Sequence, residues 1–316
     1  MRFALTHPLV HGPYDPALAT GAGVQALARA AEEAGFDGYG FTDHPAPPRR
    51  WLDAGGHDAL DPFVALGFVA AATTTIRLVP NVVVLPYRNP FVVAKASATL
   101  DVLSGGRFTL SVGAGYLRAE FAALGLDVDE RNDRFDEALE VLRAAWSGDD
   151  VTYEGRSTTA REVAPRPVPT AAPRLPIWIG GNGARARRRV AAHGDGWAPF
   201  PAPAGLARTA RTTALDTTDA LAEAIADLHV RLDEAGRDPA AVDISFGCHA
   251  GGDPASDAFD PEAHRAGLEE LAALGVTWVQ VGVPGDGVDA AVAVIRRYGE
   301  TVIAPSRVDR PGGEGT

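Results

Sequence analysis

The chain has 316 residues, a formal net charge of −12, and is 46% hydrophobic and 22% charged. The acidic balance argues against nucleic acid as the main partner, because phosphate contacts need a basic surface, and no run of about 20 uncharged apolar residues offers a membrane span. Cys248 is the only cysteine, which rules out an intramolecular disulfide and leaves too few thiolates for a zinc site.

Residues 1–10 lack the basic and apolar blocks of a secretory signal, so they read as a first strand and the expected location is the cytoplasm. From there, short β-type runs alternate with amphipathic helical runs. The strand over 2–10 precedes a helix over 24–34, with Gly35 where a C-cap glycine belongs. A strand over 38–42 leads to a helix over 61–72, opened by Asp61 and Pro62 as N-cap and first-turn pair. Strands over 77–85 and 108–112 follow, with helices over 90–103 and 134–146. Residues 148–176 break the rhythm, polar at first and then rich in proline (Pro165, Pro167, Pro169, Pro173, Pro176). This stretch predicts an excursion across one end of the fold, a lid. Strands over 177–179, 196–200, 242–248 and 277–283 then alternate with helices over 184–193, 219–235, 261–273 and 288–298. The tail, 305–316, is expected to be disordered.

Eight strands, each followed by a helix, predict an α/β fold: a single (β/α)8 TIM barrel over 1–304 with a proline-rich insertion before strand 5. Such barrels commonly use about 250 residues plus insertions. An open doubly wound sheet shows the same alternation, but no Gly-x-Gly-x-x-Gly turn follows the first strand.

Barrel ligands sit at the C-terminal ends of strands, which makes the polar and glycine residues there candidates. His7 follows the first strand, and Asp43 and His44 the second. Asn81 and Tyr87, Arg88 and Asn89 lie around the third, and Gly113, Ala114, Gly115 and Tyr116 close the fourth. Gly180, Gly181, Asn182 and Gly183 follow the fifth, and Trp197 lies in the sixth. The turn 180–183 with Arg185, Arg187, Arg188 and Arg189 behind it suits an anion, since glycines let amides approach and the helix points its positive end there; the competing reading is a tight turn with solvated arginines. Asp43 and His44 suit hydrogen bonding to a polar heterocycle or proton transfer, or else simple loop fixing. His7 and His11 do not copy the His-x-His pair of barrel metal hydrolases, so no metal is expected.

Two blocks, NVVVLPYRNPFVVAKASATLDVLSGGRFTLSVGAGYLRAEF over 81–121 and PRPVPTAAPRLPIWIGGNGARARRRVAAHGDGW over 165–197, strongly resemble the luciferase-like monooxygenase family. The resemblance implies a redox ring lying in the barrel mouth, supported by a strand-three bulge with a non-prolyl cis peptide within 81–84. It also implies a phosphate on the loop 180–183. The family divides between coenzyme F420 and FMN, and Thr42-Asp43-His44 resembles the F420 branch. His44 is then the candidate catalytic proton donor. Asp43, 81–83, 113–116, 180–183 and Arg185 would bind cofactor, while His7, Tyr87 and Trp197 would wall the substrate pocket. The F420-dependent sugar-phosphate dehydrogenases carry a glutamate where this chain has Tyr116, which tells against that substrate. The expected activity is hydride transfer between F420 and a small organic substrate. The alternatives are an FMN-dependent monooxygenase using O2 and a flavin-binding barrel without turnover. A homodimer is expected.

Overall fold

The computed structural model describes residues 1–10 and 12–308; His11 and the residues after 308 lie outside it. In chain order the strands are β1 (Arg2–Thr6), β2 (Gly38–Gly40), β3 (Arg77–Leu78), β4 (Val83–Val84), β5 (Leu110–Gly113), β6 (Val151–Glu154), β7 (Thr159–Val163), β8 (Ile177–Gly180), β9 (Gly196–Ala198), β10 (Asp243–Gly247) and β11 (Trp278–Val281). All except β6 and β7 join one parallel sheet in the order β3-β2-β1-β11-β10-β9-β8-β5-β4. β3 and β4 are two pieces of one barrel strand. The sheet closes on itself because Leu78 of β3 bridges in parallel to Phe108, just ahead of β5, while β4 pairs with β5 directly. The result is the eight-stranded barrel of the sequence reading. Strands covered by helices on the outside and packed side chains inside are apolar on both faces, as the fully buried β5 and β2 are.

Local chemistry places the helices. Asp61 caps Pro62–Ala72 by accepting from the Phe63 and Val64 amides, and Asn89 caps Pro90–Leu103, each followed by proline at the first helical position. Gly35, at φ 88°, takes the left-handed conformation that ends the first long helix. The N-terminal end of the barrel is plugged by Trp178 against Trp278, ring centroids 5.2 Å apart and edge to face. Gly196 makes room for this plug, since a Cβ there would stand 2.3 Å from Trp178.

The insertion departs from expectation. Residues 148–176 do not cross the mouth. Val151–Glu154 and Thr159–Val163 form an antiparallel hairpin, whose turn amides (Arg156, Ser157) donate to Glu137 on the outer helix Arg131–Ala145. The chain then runs down the outside of the barrel, where the Thr170 and Ala171 amides donate to buried Asp101, and reaches the N-terminal face at Pro173 and Arg174. The prolines therefore line an external strap. The tail expectation is also corrected at its start: Ala304–Val308 is helical, and the remainder lies outside the described residues. No helix among the described residues is long and apolar enough to cross a membrane.

Candidate active site at the barrel mouth

A cavity of about 620 Å³ opens at the C-terminal ends of β2, β4, β5, β8 and β9, a size suited to a cofactor-sized ligand. Its floor is the strand-three bulge. The Asn81-Val82 peptide is cis, as the family resemblance implies. Val82 sits between two glycines. A Cβ on Gly113 would lie 2.7 Å from Val82 Cγ2, and one on Gly180 3.3 Å from Val82 Cγ1. These glycines thus leave a flat apolar floor that any larger residue would disturb.

Asp43 holds this bulge from below. Its carboxylate accepts the Val84 amide at 2.8 Å and pairs with both arms of Arg88, and Arg88 reaches on to Asp61 at 3.1 Å. Asp43 does touch the cavity, but both of its oxygens are already bonded.

His44 lines the cavity with a side chain only 11% exposed. Its Nδ1 donates to Glu120 Oε2 at 3.1 Å. Glu120 has no solvent exposure and also accepts from Tyr87 Oη at 2.8 Å and the Ala46 amide at 3.2 Å. Nε2 is left as the nitrogen of His44 with no partner among the described residues. Trp51 packs against the imidazole, centroids 4.5 Å apart, and Tyr116 and His57 meet it edge-on. Burial and the neighbouring Glu120 charge push the Tyr116 hydroxyl pKa up, against a hydrogen bond from Trp51. Tyr116 is therefore a neutral wall at physiological pH.

The opposite wall is cationic. The helix Ala184–His193 begins at Gly183, and the amides of Gly183, Ala184 and Arg185 have no acceptor among the described residues, as expected of a first helical turn. Arg131, Arg185, Arg211, Thr212 and Thr213 frame this corner. The leading amides, the helix N-terminus and Arg185 together make an anion site, with Arg131 and Arg211 on its outer side.

The structure divides the sequence candidates. Asp43, His44, Asn81, Val82, Gly113, Ala114, Gly115, Tyr116, Gly180, Gly181, Gly183 and Arg185 all line the cavity. Five others do not. Val83 points to the opposite face of its strand, into the core. The Asn182 side chain is consumed by Phe200 and Thr213, tying the glycine turn to the loop beyond β9. Trp197 is fully buried under that turn, its Nε1 donating to the Gly181 carbonyl at 2.9 Å. Tyr87 lies behind Glu120. His7 is buried between Tyr39 Oη at 2.6 Å and the Leu18 carbonyl at 3.0 Å, and burial lowers its pKa to about 4 despite the Leu18 bond. Among the arginines, Arg187 is spoken for by Asp227 and Arg189 by Asp136. Glu120, Arg131 and Arg211 were not anticipated.

Residues 1–268 match the profile of the family described as luciferase-like monooxygenase. The chain belongs to the luciferase-like monooxygenase family. Among curated relatives, an F420-dependent glucose-6-phosphate dehydrogenase of Beutenbergia cavernae is 40% identical over 175 residues, covering 53% of this chain and 49% of the relative. An F420-dependent hydroxymycolic acid dehydrogenase of Mycobacterium tuberculosis is 34% identical over 54% of this chain and 47% of the relative. The chain thus spans about half the length of these curated relatives it matches. The fold of this luciferase-like chain is shared with the monooxygenase RslO1 of Streptomyces bottropensis, at TM-score 0.80 and 21% identity over 97% of this chain and all (100%) of that one.

Proposed function

We propose that the protein is an oxidoreductase that moves hydride between coenzyme F420 and a small organic substrate. The observation that carries this reading is the cavity-lining His44 backed by the buried carboxylate of Glu120, in a chain whose curated relatives are named F420-dependent dehydrogenases. The residues present fit such a cofactor. Val82, between Gly113 and Gly180, would support the ring, and the Gly183, Ala184 and Arg185 amides with Thr212 would take its phosphate. The deazaflavin, when bound, supplies hydride transfer.

The chain's own residues do the rest. Glu120, by accepting from Nδ1, fixes the orientation and tautomer of His44, so that Nε2 faces a substrate heteroatom where it can give or take a proton. Tyr87 and the Ala46 amide hold Glu120 in place. Trp51 and Tyr116 restrict water around the imidazole. Asp43 acts through Val84 and Arg88 to hold the floor, a positioning role in place of the direct cofactor contact expected from sequence. Tyr116 presents no ionised group where the sugar-phosphate dehydrogenases are expected to carry a glutamate, so the substrate proposed is not a sugar phosphate. A carrier without turnover has no use for a histidine backed by a buried carboxylate, which favours an enzyme.

Titration of the protein with F420 and with FMN tests the reading. Micromolar binding of F420 with weak FMN binding is the expected result. Tight FMN binding with none for F420 would decide for the second reading, an O2-using monooxygenase, which the fold shared with RslO1 favours. We also propose a homodimer. Its candidate surface is the uncharged helix Pro62–Ala72 with the adjoining Pro90–Leu103, where Val64, Phe68 and Val92 are 66%, 46% and 62% exposed. Sedimentation that reports a monomer at micromolar concentration would remove it.

A further inference from the structure

We propose that Arg131 and Arg211 form a second anionic subsite, beyond the phosphate corner, that takes the carboxylates of an acidic tail on the cofactor. This rests on the F420 reading above and deepens it. F420 continues past its phosphate into γ-linked glutamates, whereas FMN ends at its phosphate.

The argument begins with charge. Of the arginines on this wall, Arg187 and Arg189 are neutralised by Asp227 and Asp136. Arg131, Arg185 and Arg211 line the same cavity, and none has a carboxylate within ion-pair distance among the described residues. Burial holds Arg131 below the usual guanidinium range, and the positive charges of Arg211 and Arg185 add to the effect. The three cations therefore share one field. A protein of net charge −12 that gathers uncompensated arginines on one rim has built a local anion attractor. A phosphodiester carries one negative charge, which the Gly183, Ala184 and Arg185 amides and the Arg185 guanidinium already answer. Arg131 and Arg211 remain over.

Geometry gives a second line. Arg211 has φ 51°, in the left-handed region that non-glycine residues seldom adopt. The turn is fixed there by its neighbours. The Thr212 amide donates to the Ala207 carbonyl at 3.0 Å, Thr212 Oγ1 accepts the Asn182 amide at 3.0 Å, and the Thr213 carbonyl accepts from Asn182 Nδ2 at 3.1 Å. The turn that displays Arg211 is thus tied to the glycine loop of the phosphate corner. The exposed Arg211 side chain itself makes no hydrogen bond or ion pair among the described residues. Arg131, on the same wall, is anchored by Nη1 to the Val128 carbonyl at 2.8 Å, which leaves its other donors available. Arginine pairs with carboxylates through such charge-assisted bonds.

Fluorescence titration of the full chain with oligoglutamyl F420, with the tail-less form and with FMN tests this at low and raised salt. The tailed form should bind about tenfold tighter than the tail-less form, with the gap closing as salt rises. Arg131→Gln with Arg211→Gln should erase the gap and leave the tail-less Kd unchanged. Equal affinity of the two forms in the unaltered protein would overturn the proposal. So would a double variant that weakens both forms alike, since that would place both arginines on the phosphate. Binding of FMN and neither deazaflavin would remove the cofactor reading and the tail subsite with it. If the double variant does not fold, Arg211→Glu decides alone: it should reverse the preference for the tailed form, and an unchanged ratio would overturn the assignment.

Discussion

The two ends of the barrel carry charge in opposite ways. At the N-terminal end, Asp195 accepts from Arg143 at 2.6 Å, from Arg174 and from the Ile177 amide. Asp37 pairs with Arg307 at 3.1 Å and Asp243 with Arg2 at 3.6 Å, while Arg237 donates to three backbone carbonyls. At the mouth, Arg185, Arg211 and the leading amides of a helix have no protein partner among the described residues, and Arg131 has only the Val128 carbonyl. The N-terminal end encloses the larger space, about 980 Å³ against about 620 Å³. Size therefore does not mark the site. Guanidinium groups with few or no bonds to the protein do, because groups satisfied by one another have little left for a ligand, even though Trp278 Nε1 and Arg143 Nε are unpaired at the N-terminal end.

That contrast can be broken by exchanging the effects of mutation at the two ends. His44→Gln should lower turnover by about 10²–10⁴-fold, the range of general acid–base catalysis, with an unchanged melting temperature; steady-state kinetics and a thermal melt read both. Asp195→Asn should do the reverse, costing about 3 kcal/mol of stability because Arg143 is left half-buried without its counter-charge, while cofactor Kd stays fixed. A shift in Kd with no loss of melting temperature would sink the contrast.

His7 sharpens it by pH. Its folded pKa, about 4, lies below the unfolded value of 6.5, so protonation favours the unfolded chain. The stabilisation is complete above pH 6.5 and is lost as pH falls toward 4, by roughly 3 kcal/mol. His193 and His264, also lowered by burial, act in the same direction. Urea melts of the parent and His7→Gln between pH 7 and 4 should show a shallower slope in the variant. The smallest effect is expected from Trp197→Phe, which removes one hydrogen bond to the Gly181 carbonyl. Cofactor affinity should fall about fivefold, the worth of roughly 1 kcal/mol, and an unchanged Kd would show that the turn holds itself.

The barrel was legible because helix and strand periods are local properties of the chain. Ends of strands were legible for the same reason, and with them Asp43, His44, Gly113 and the glycine turn. What could not be read was which way a side chain faces at a strand end. Adjacent residues point to opposite faces, so Ala198 meets the cavity and Trp197 does not, and Val82 forms the floor while Val83 enters the core. The lid was misread because a proline-rich insertion has no period from which to infer where it packs. Arg211 sits in an irregular segment, and Arg131 opens a helix that the sequence reading started only at 134. Glu120 left only a weak signal, its spacing of three from Leu117 and four from Leu124.

The guanidinium of Arg88 has one further consequence. It grips Asp43 at the start of the segment 44–60 and Asp61 at its end, so a single side chain staples both edges of a loop that supplies His44, Trp51 and His57. Such a loop behaves as an interchangeable cassette. Segments of other lengths that keep His44 and Ala46 should be graftable between the two aspartates, changing which molecules enter while the Val82 floor keeps its shape.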